Sequence, residues 1–477
     1  MDTSRTTAPA PPAAEPRTLS GKLGVGSIVF MVVAAAAPLT VIAGAVPLGI
    51  AQGDGAGFPA TFVLCCAVLL LFAVGFCAMT RHVPNAGAFY TYIHKGLGRS
   101  MGLGSAFLAL VTYTAVQLAV YGYLGATLSG LVAQYGGPTL PWWLYAVAAL
   151  GLVSALGYRH IELSGKVLGV LLVCEVGIVL VFDAVVNVRG GAHGLSTALL
   201  QPSQVGSGSL GIGIMFAIAS FLGFEATAVY RSEARRPERT VPRATYLALL
   251  LIGGFYTLSS WSLVSAWGDS AAVTQANQNP GGMLIASVTR YLGAAGGDLV
   301  QILLVTSLFA ALLSFHNVIA RYTFSLGNAG ALPTQCGRSH ARHGSPHVAS
   351  VAQSVSALVL IAVFALAKMD PVTQVFSWMA GTATLGVLTL MALTCLAVLV
   401  FFRRTTLDRR RWNTVVAPSL GLVGLLAALA LTVANFPMLI GGSGELAAGI
   451  GLILVAAFAL GTGLSLARRH LLVTLPA

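Results

Sequence analysis

The sequence predicts an all-α integral membrane protein with twelve transmembrane helices. Three observations lead to this fold class. The 477 residues are 56% hydrophobic and only 8% charged, whereas a soluble domain carries about 25% charged residues. Several long stretches contain no Asp, Glu, Lys or Arg, and the basic residues are concentrated in alternate loops. The composition therefore suits a surface that faces lipid.

Uncharged stretches cover residues 23–53, 55–80, 100–158, 244–268, 371–402 and 412–444. About 20 apolar residues cross a bilayer as a helix, and the stretches are too uniformly apolar for barrel strands, which alternate. The Gly- and Pro-containing segment 136–143 divides the longest stretch into two helices. The spans are predicted at about 24–50, 58–80, 102–133, 142–158, 164–187, 210–230, 244–267, 298–326, 348–367, 372–402, 414–436 and 445–467.

The basic residues orient these spans. With the N-terminus in the cytoplasm, 23 of the 26 Lys and Arg residues fall on the cytoplasmic side, and only Arg189, Arg290 and Lys368 fall outside it. Such a bias is the positive-inside rule of multi-pass proteins. It predicts a cell-membrane protein with both termini in the cytoplasm. It also accounts for the net charge of +12 through lipid headgroups, so no nucleic-acid partner is expected.

The termini and cysteines add little chemistry. Residues 1–20 are rich in Pro and Ala and predict a disordered cytoplasmic tail rather than a signal peptide. Five of the six cysteines lie in apolar stretches, and no pair has zinc-site spacing. No HExxH, G-x-S-x-G or phosphate-binding G-x-x-x-x-G-K-[ST] motif occurs. The sequence therefore predicts neither an enzyme nor an ATP-driven pump, and it indicates no cofactor or metal.

Glu225 is the first functional candidate, because acidic residues inside membrane spans are costly and usually functional. It lies in the sixth span, where Gly211, Gly213, Gly223 and Ser220 weaken the helix. A helix broken in mid-membrane exposes backbone groups that can hold a substrate's carboxylate and ammonium. The alternative is a Gly-rich packing helix in which a neighbour satisfies the glutamate.

The first span contains a matching irregularity. Pro38 and Pro47 each remove a backbone hydrogen bond, and Thr40 and Gly44 lie near them. A plain proline kink would explain this pattern if it stood alone. Paired with the sixth span, it favours a binding site between two five-helix halves.

Glu175 and Gln117 are further candidates. Glu175 lies nine residues beyond Lys166 in the fifth span, about 13 Å along a helix, which places it near the midplane. It is either a functional carboxyl or a buried structural one, and Asp183 lies nearer the outer end of the same span. Gln117, in the third span, either lines a cavity or pairs with a neighbouring helix. His316 in the eighth span is interpreted as a buried neutral side chain.

Several motifs resemble the amino acid–polyamine–organocation transporter superfamily. They are RHVPNAGAFYTYIHKGLGRSMG at 81–102, SFLGFEATAVYRSEARRPERTVPRA at 220–244, RYTFSLGNAGALP at 321–333 and HARHGSP at 340–346. The order of these motifs and the twelve predicted spans are similar to that superfamily over nearly the whole chain.

The resemblance implies a LeuT-like fold with two inverted five-helix repeats, at about 24–187 and 210–402. Together they form a transport core over 21–402, and two more helices and a short cytoplasmic tail occupy 403–477. It implies a substrate site between spans 1, 3, 6, 8 and 10. The residues implied for the unwound part of span 1 are Ala37, Pro38, Leu39, Thr40 and Val41. Those implied for span 6 are Ala219, Ser220, Phe221, Leu222, Gly223 and Phe224.

Some departures from the superfamily pattern concern the site, among them Ala219 or Ser220 in place of an aromatic residue before the span-6 turn. A Gly-Ser-Gly-like stretch is replaced by Pro38-Leu39-Thr40, and Glu175 stands where proton-coupled relatives carry Lys. A glutamate there would act as a proton carrier or a cation ligand. The resemblance also implies that Glu225 matches a glutamate linked to substrate and proton.

We therefore expect a secondary transporter of amino acids, a proton-coupled importer working by alternating access, with Glu225 and Glu175 as proton-coupling candidates. Its partners would be the substrate, the bilayer and a proton or another coupling ion. A polyamine or amine transporter or exchanger remains open, and so does a sensor that binds solute without moving it.

Overall fold

The computed structural model describes residues 23–83, 89–159, 165–340 and 345–467. Within these ranges nearly all regular structure is helical, and the one β-type contact is an isolated bridge between Leu23 and Ala234. The predicted tail at 1–20 lies outside the described residues. The all-helical fold class is confirmed.

Besides the one-turn helix Pro202–Val205 and short 3-10 segments, the described residues form seventeen helices. In chain order they are α1 (Val25–Ala35), α2 (38–54), α3 (Phe58–Thr80), α4 (Phe89–Leu97), α5 (Arg99–Gln134), α6 (Trp142–Tyr158), α7 (Gly165–Arg189), α8 (Leu210–Ser220), α9 (Ala226–Val229), α10 (Pro237–Trp267), α11 (Asp269–Gln278), α12 (Met283–Leu292), α13 (Ala294–Asn328), α14 (His347–Leu366), α15 (Pro371–Arg404), α16 (Trp412–Leu439) and α17 (Gly444–Ala467).

These helices can be matched to the predicted spans. Helices α1 and α2 occupy the first span, and α8 and α9 occupy the sixth. Helices α5, α7, α13 and α15 occupy the third, fifth, eighth and tenth. The short helices α4, α11 and α12 lie in segments that the sequence analysis left between spans.

Among the described residues, nine helical stretches are long and apolar enough to cross a membrane. The first of them, Val25–Thr80, is 56 residues long and contains both the first and the second predicted span. Helices α6 and α8 are apolar but shorter. The chain is thus a multi-pass membrane protein, while the count of twelve spans and the inverted repeat stay predictions.

Helix α5 lies at the centre of the bundle. It packs against α13, α15 and α17, while α3 packs against α10 and α16. Glycines allow several of these close approaches: a Cβ at Gly104 of α5 would lie 2.9 Å from the Phe458 carbonyl oxygen of α17. The outer faces of the bundle expose large apolar side chains such as Val423 and Leu452, as expected of a surface in contact with lipid.

Candidate functional site

The first predicted span is broken between α1 and α2. Ala37 adopts a left-handed conformation, with φ 46° and ψ 66°. Pro38 then begins α2, where its missing N–H costs nothing because the first helical amides have no intrahelical partner. The break therefore lies at Ala36–Ala37. Pro38, Leu39, Thr40 and Val41 are helical rather than unwound, because a proline at the first position starts a helix readily.

The sixth predicted span is broken between α8 and α9. Helix α8 ends at Ser220, and a turn covers residues 221–225. Gly223 has φ +107°, a conformation that residues with a Cβ rarely adopt. Ala219 and Ser220 remain in the last turn of α8, so the irregular segment is slightly later than expected. Phe221 and Phe224 anchor the turn by packing against Tyr256 and Phe72.

A cavity of about 80 Å³ lies where the two breaks meet. Its walls come from α1, α2, α5, α8, α13 and α15, the helices of the spans that the resemblance implies. Of the predicted binding residues, Ala37, Thr40, Val41, Ala219, Ser220 and Leu222 line it. The other lining residues are Ala35, Ala36, Ala45, Val116, Ala119, Val120, Ala311, Phe315, Phe376, Ala380 and Ala383.

Backbone groups at the helix ends beside this cavity lack a backbone partner. Among the described residues, no hydrogen bond engages the Thr40 N–H or the carbonyl oxygens of Ala35 and Ser220. By contrast, the Ala36 carbonyl accepts a hydrogen bond from the Tyr256 hydroxyl at 3.3 Å. Buried backbone groups are normally paired. These helix ends therefore offer one donor and two acceptors that a bound molecule can satisfy.

The buried Glu225 side chain lies at the turn between α8 and α9 and accepts hydrogen bonds there. Its Oε2 accepts a hydrogen bond from the Gly223 N–H at 2.9 Å, and its Oε1 accepts one from the Tyr113 hydroxyl of α5 at 3.1 Å. The Tyr113 ring packs against Tyr322 of α13. The carboxyl is buried but does not line the cavity. It thus joins the turn between α8 and α9 to α5 beside the cavity through neutral donors.

Glu175 of α7 lies at the other break. Its Oε2 accepts a hydrogen bond from Ser307 Oγ of α13 at 2.9 Å, and Ser307 Oγ in turn accepts one from Thr40 Oγ1 at 3.3 Å. The Leu39 N–H, in the first turn of α2, also bonds to this carboxyl. Since Thr40 lines the cavity, two hydroxyl groups connect the Glu175 carboxyl to it.

Gln117 lies apart from the cavity. It is fully buried, and its Oε1 accepts a hydrogen bond from Gln353 Nε2 of α14. His316 likewise bonds to Ser350 of α14. Asp183 accepts a hydrogen bond from Ser259 of α10 at 2.7 Å. These contacts do not support a role for Gln117 in substrate binding; they join it to a neighbouring helix, one of its two expected alternatives.

Sequence reasoning did not single out Tyr113 or Ser307, which hold the two carboxyls, nor Phe376, which forms a cavity wall. A weak signal existed for Tyr113, which lies four residues before Gln117 and so on the same helix face. Ser307 is one of many hydroxyl residues in apolar stretches, and nothing local distinguishes it.

Comparisons with known proteins show which family the chain resembles. The sequence profile described as amino acid permease matches residues 23–460. The low-affinity putrescine importer of Escherichia coli (strain K12) is 22% identical over 282 residues, 58% of this chain and 60% of the importer. The branched-chain amino acid permease of Bacillus subtilis (strain 168) is 24% identical over 318 residues, 62% of this chain and 65% of the permease.

The serine/threonine exchanger of Bacillus subtilis (strain 168) is 19% identical over 344 residues, 72% of this chain and 74% of the exchanger. The chain thus spans less than two thirds of the length of the putrescine importer and of the branched-chain permease.

Proposed function

Because the chain belongs to the amino acid permease family, we propose that it is a secondary active transporter that imports amino acids together with protons by alternating access. The observation that carries the proposal is the meeting of two broken helices at one cavity with unpaired backbone groups. Backbone of this kind is tolerated at membrane depth only where it is buried in protein or lines a cavity.

The unpaired groups match the two charged ends of an amino acid. The Thr40 N–H lies at the N-terminus of α2, where the helix dipole favours a carboxylate. The Ala35 and Ser220 carbonyls lie at the C-termini of α1 and α8, where the dipole favours an ammonium group. On the side of α9, Glu225 already occupies the Gly223 amide. The substrate carboxylate is therefore assigned to α2.

Glu225 is the proposed proton carrier. An ionised carboxyl buried without a cationic partner is costly, and the hydrogen bonds to Glu225 come from a hydroxyl and a backbone amide. Protonation would remove that cost while the site is closed to both sides. Glu175, connected to the cavity through Ser307 and Thr40, is the second candidate.

The proposal includes the architecture and orientation expected from the sequence. Two inverted repeats, at about 24–187 and 210–402, would enclose the site within the 21–402 core, and the helices of 403–477 would flank it. The protein would lie in the cell membrane with both termini in the cytoplasm. The 23 basic residues assigned to one side support this orientation.

Purified protein in liposomes tests the function. A panel of radiolabelled amino acids and diamines is offered with and without a pH gradient, acidic outside. We expect at least one amino acid to accumulate above its external concentration only when the gradient is present. Binding without accumulation would show a sensor. Accumulation of diamines alone would show an amine transporter. Exchange that does not depend on the pH gradient would show an exchanger.

A further inference from the structure

The side chains that line the cavity offer almost no polarity. Only Thr40 and Ser220 carry polar groups among the lining residues, and both hydroxyls already donate hydrogen bonds. Thr40 Oγ1 donates to Ser307 Oγ, and Ser220 Oγ donates to the Phe216 carbonyl at 2.7 Å. A polar substrate side chain would therefore lose its water partners and gain few replacements.

Within the described part of the chain, no acidic or basic side chain lines the cavity. Neither Glu225 nor Glu175 is among the lining residues: the Glu225 oxygens bond to Tyr113 and Gly223, and Glu175 bonds to Ser307. A second ammonium group, as in a diamine or lysine, would have no carboxylate to meet. A second carboxylate would find no cation. Both classes would have to bury an unpaired charge.

The cavity is also small. Its volume is about 80 Å³. Alanine side chains at 311, 380 and 383 form one part of the wall, and the rings of Phe315 and Phe376 form another. The Phe376 ring is fixed against Tyr123, with 5.2 Å between centroids. The wall therefore limits the length of a substrate side chain.

We propose that this site selects α-amino acids with a small apolar side chain, from alanine to valine, and that Phe376 sets the upper size limit. The inference rests on the proposed function and narrows its substrate class. It excludes diamines, basic and acidic amino acids, and large aromatic ones as good substrates.

Competition against labelled alanine in proteoliposomes tests the substrate class. Unlabelled alanine, 2-aminobutyrate and valine should inhibit uptake most strongly. Phenylalanine, lysine, glutamate and putrescine should each inhibit at least tenfold more weakly, because one misplaced methylene in an apolar pocket already changes selectivity by about 10–200-fold. Stronger uptake of a charged substrate than of alanine would overturn the inference and leave transport itself established. Failure of all amino acids would overturn the proposed function instead.

Two variants test the size limit. Phe376→Ala should widen the cavity and raise the uptake of leucine relative to that of alanine at least tenfold. Phe30→Ala, which shortens an exposed phenylalanine of α1, is the matched control and should leave the preference unchanged. An unchanged leucine-to-alanine preference in Phe376→Ala would show that Phe376 does not set the size limit. If Phe376→Ala does not reach the membrane, Ala380→Val is tested instead and should weaken the uptake of valine relative to that of glycine. An unchanged valine-to-glycine uptake ratio in Ala380→Val would overturn the proposed size limit.

Discussion

Replacing Glu225 by Gln should uncouple transport from the proton gradient while leaving the site assembled. The side-chain amide has the shape of a protonated carboxyl. Its oxygen can accept from the Gly223 N–H, and its NH₂ group can donate to the Tyr113 hydroxyl, so both contacts of the native residue are kept. Only the exchangeable proton is lost. Glu225→Ala removes both contacts and should also weaken substrate binding.

The expected magnitude follows from the gradient. One pH unit is worth about 1.36 kcal/mol per proton, so co-transport of one proton can concentrate a zwitterionic amino acid about tenfold across one pH unit. In Glu225→Gln this ratio should fall to about one. Binding and exchange should survive, since the backbone groups at Thr40, Ala35 and Ser220 are untouched.

Uptake into proteoliposomes with and without an imposed pH gradient, together with exchange at equal pH, measures both quantities. Tenfold accumulation by Glu225→Gln would refute the role of Glu225. Glu175→Gln would then be examined in the same way. If neither substitution changes accumulation, proton coupling should be abandoned and sodium dependence tested.

Three further predictions concern the break, the second carboxyl and the topology. Gly223→Val should abolish uptake, because a Cβ at φ +107° strains the turn by at least about 1–2 kcal/mol. The control Gly254→Val should be tolerated, because a Cβ there meets nothing within 4 Å. Substrate affinity and surface expression of the two variants are compared. Ser307→Ala should lower the free energy of unfolding by about 1–3 kcal/mol, because the buried Glu175 carboxyl loses a hydrogen-bond donor. Denaturant titration in detergent measures this free energy, and a change within error would refute the Ser307–Glu175 hydrogen bond. In a variant without native cysteines, Arg239→Cys should resist an impermeant thiol reagent added to intact cells, and Ser270→Cys should react; efficient labelling at 239 would refute the orientation.

The all-helical fold class follows from the composition and from the length and uniform apolarity of the uncharged stretches, but the break in the first span shows where prediction from sequence ends. Pro38 indicated an interruption correctly, because the loss of an N–H is a local property. It did not show that Ala37, rather than a glycine, takes the left-handed conformation. That strain is offset by distant contacts, such as the Tyr256 hydroxyl on the Ala36 carbonyl, and no local pattern reveals them.

The polar residues show the same limit. Counting from Lys166 gave Glu175 a depth near the midplane, but its partner Ser307 is 132 residues away. Gln117 had two open interpretations, and the choice between them depends on Gln353, 236 residues away. The rise of a helix fixes the depth of a side chain, whereas its partner is fixed only by how the helices pack.

The central claim is that an amino acid binds between the broken helices, with its carboxylate at the Thr40 N–H and its ammonium at the Ala35 and Ser220 carbonyls. A cryo-EM structure of the protein in lipid nanodiscs at saturating alanine measures this most directly. We expect density for alanine in the cavity, with both charged ends within hydrogen-bond distance of those backbone groups. Alanine bound elsewhere, while the cavity stays empty, would contradict it.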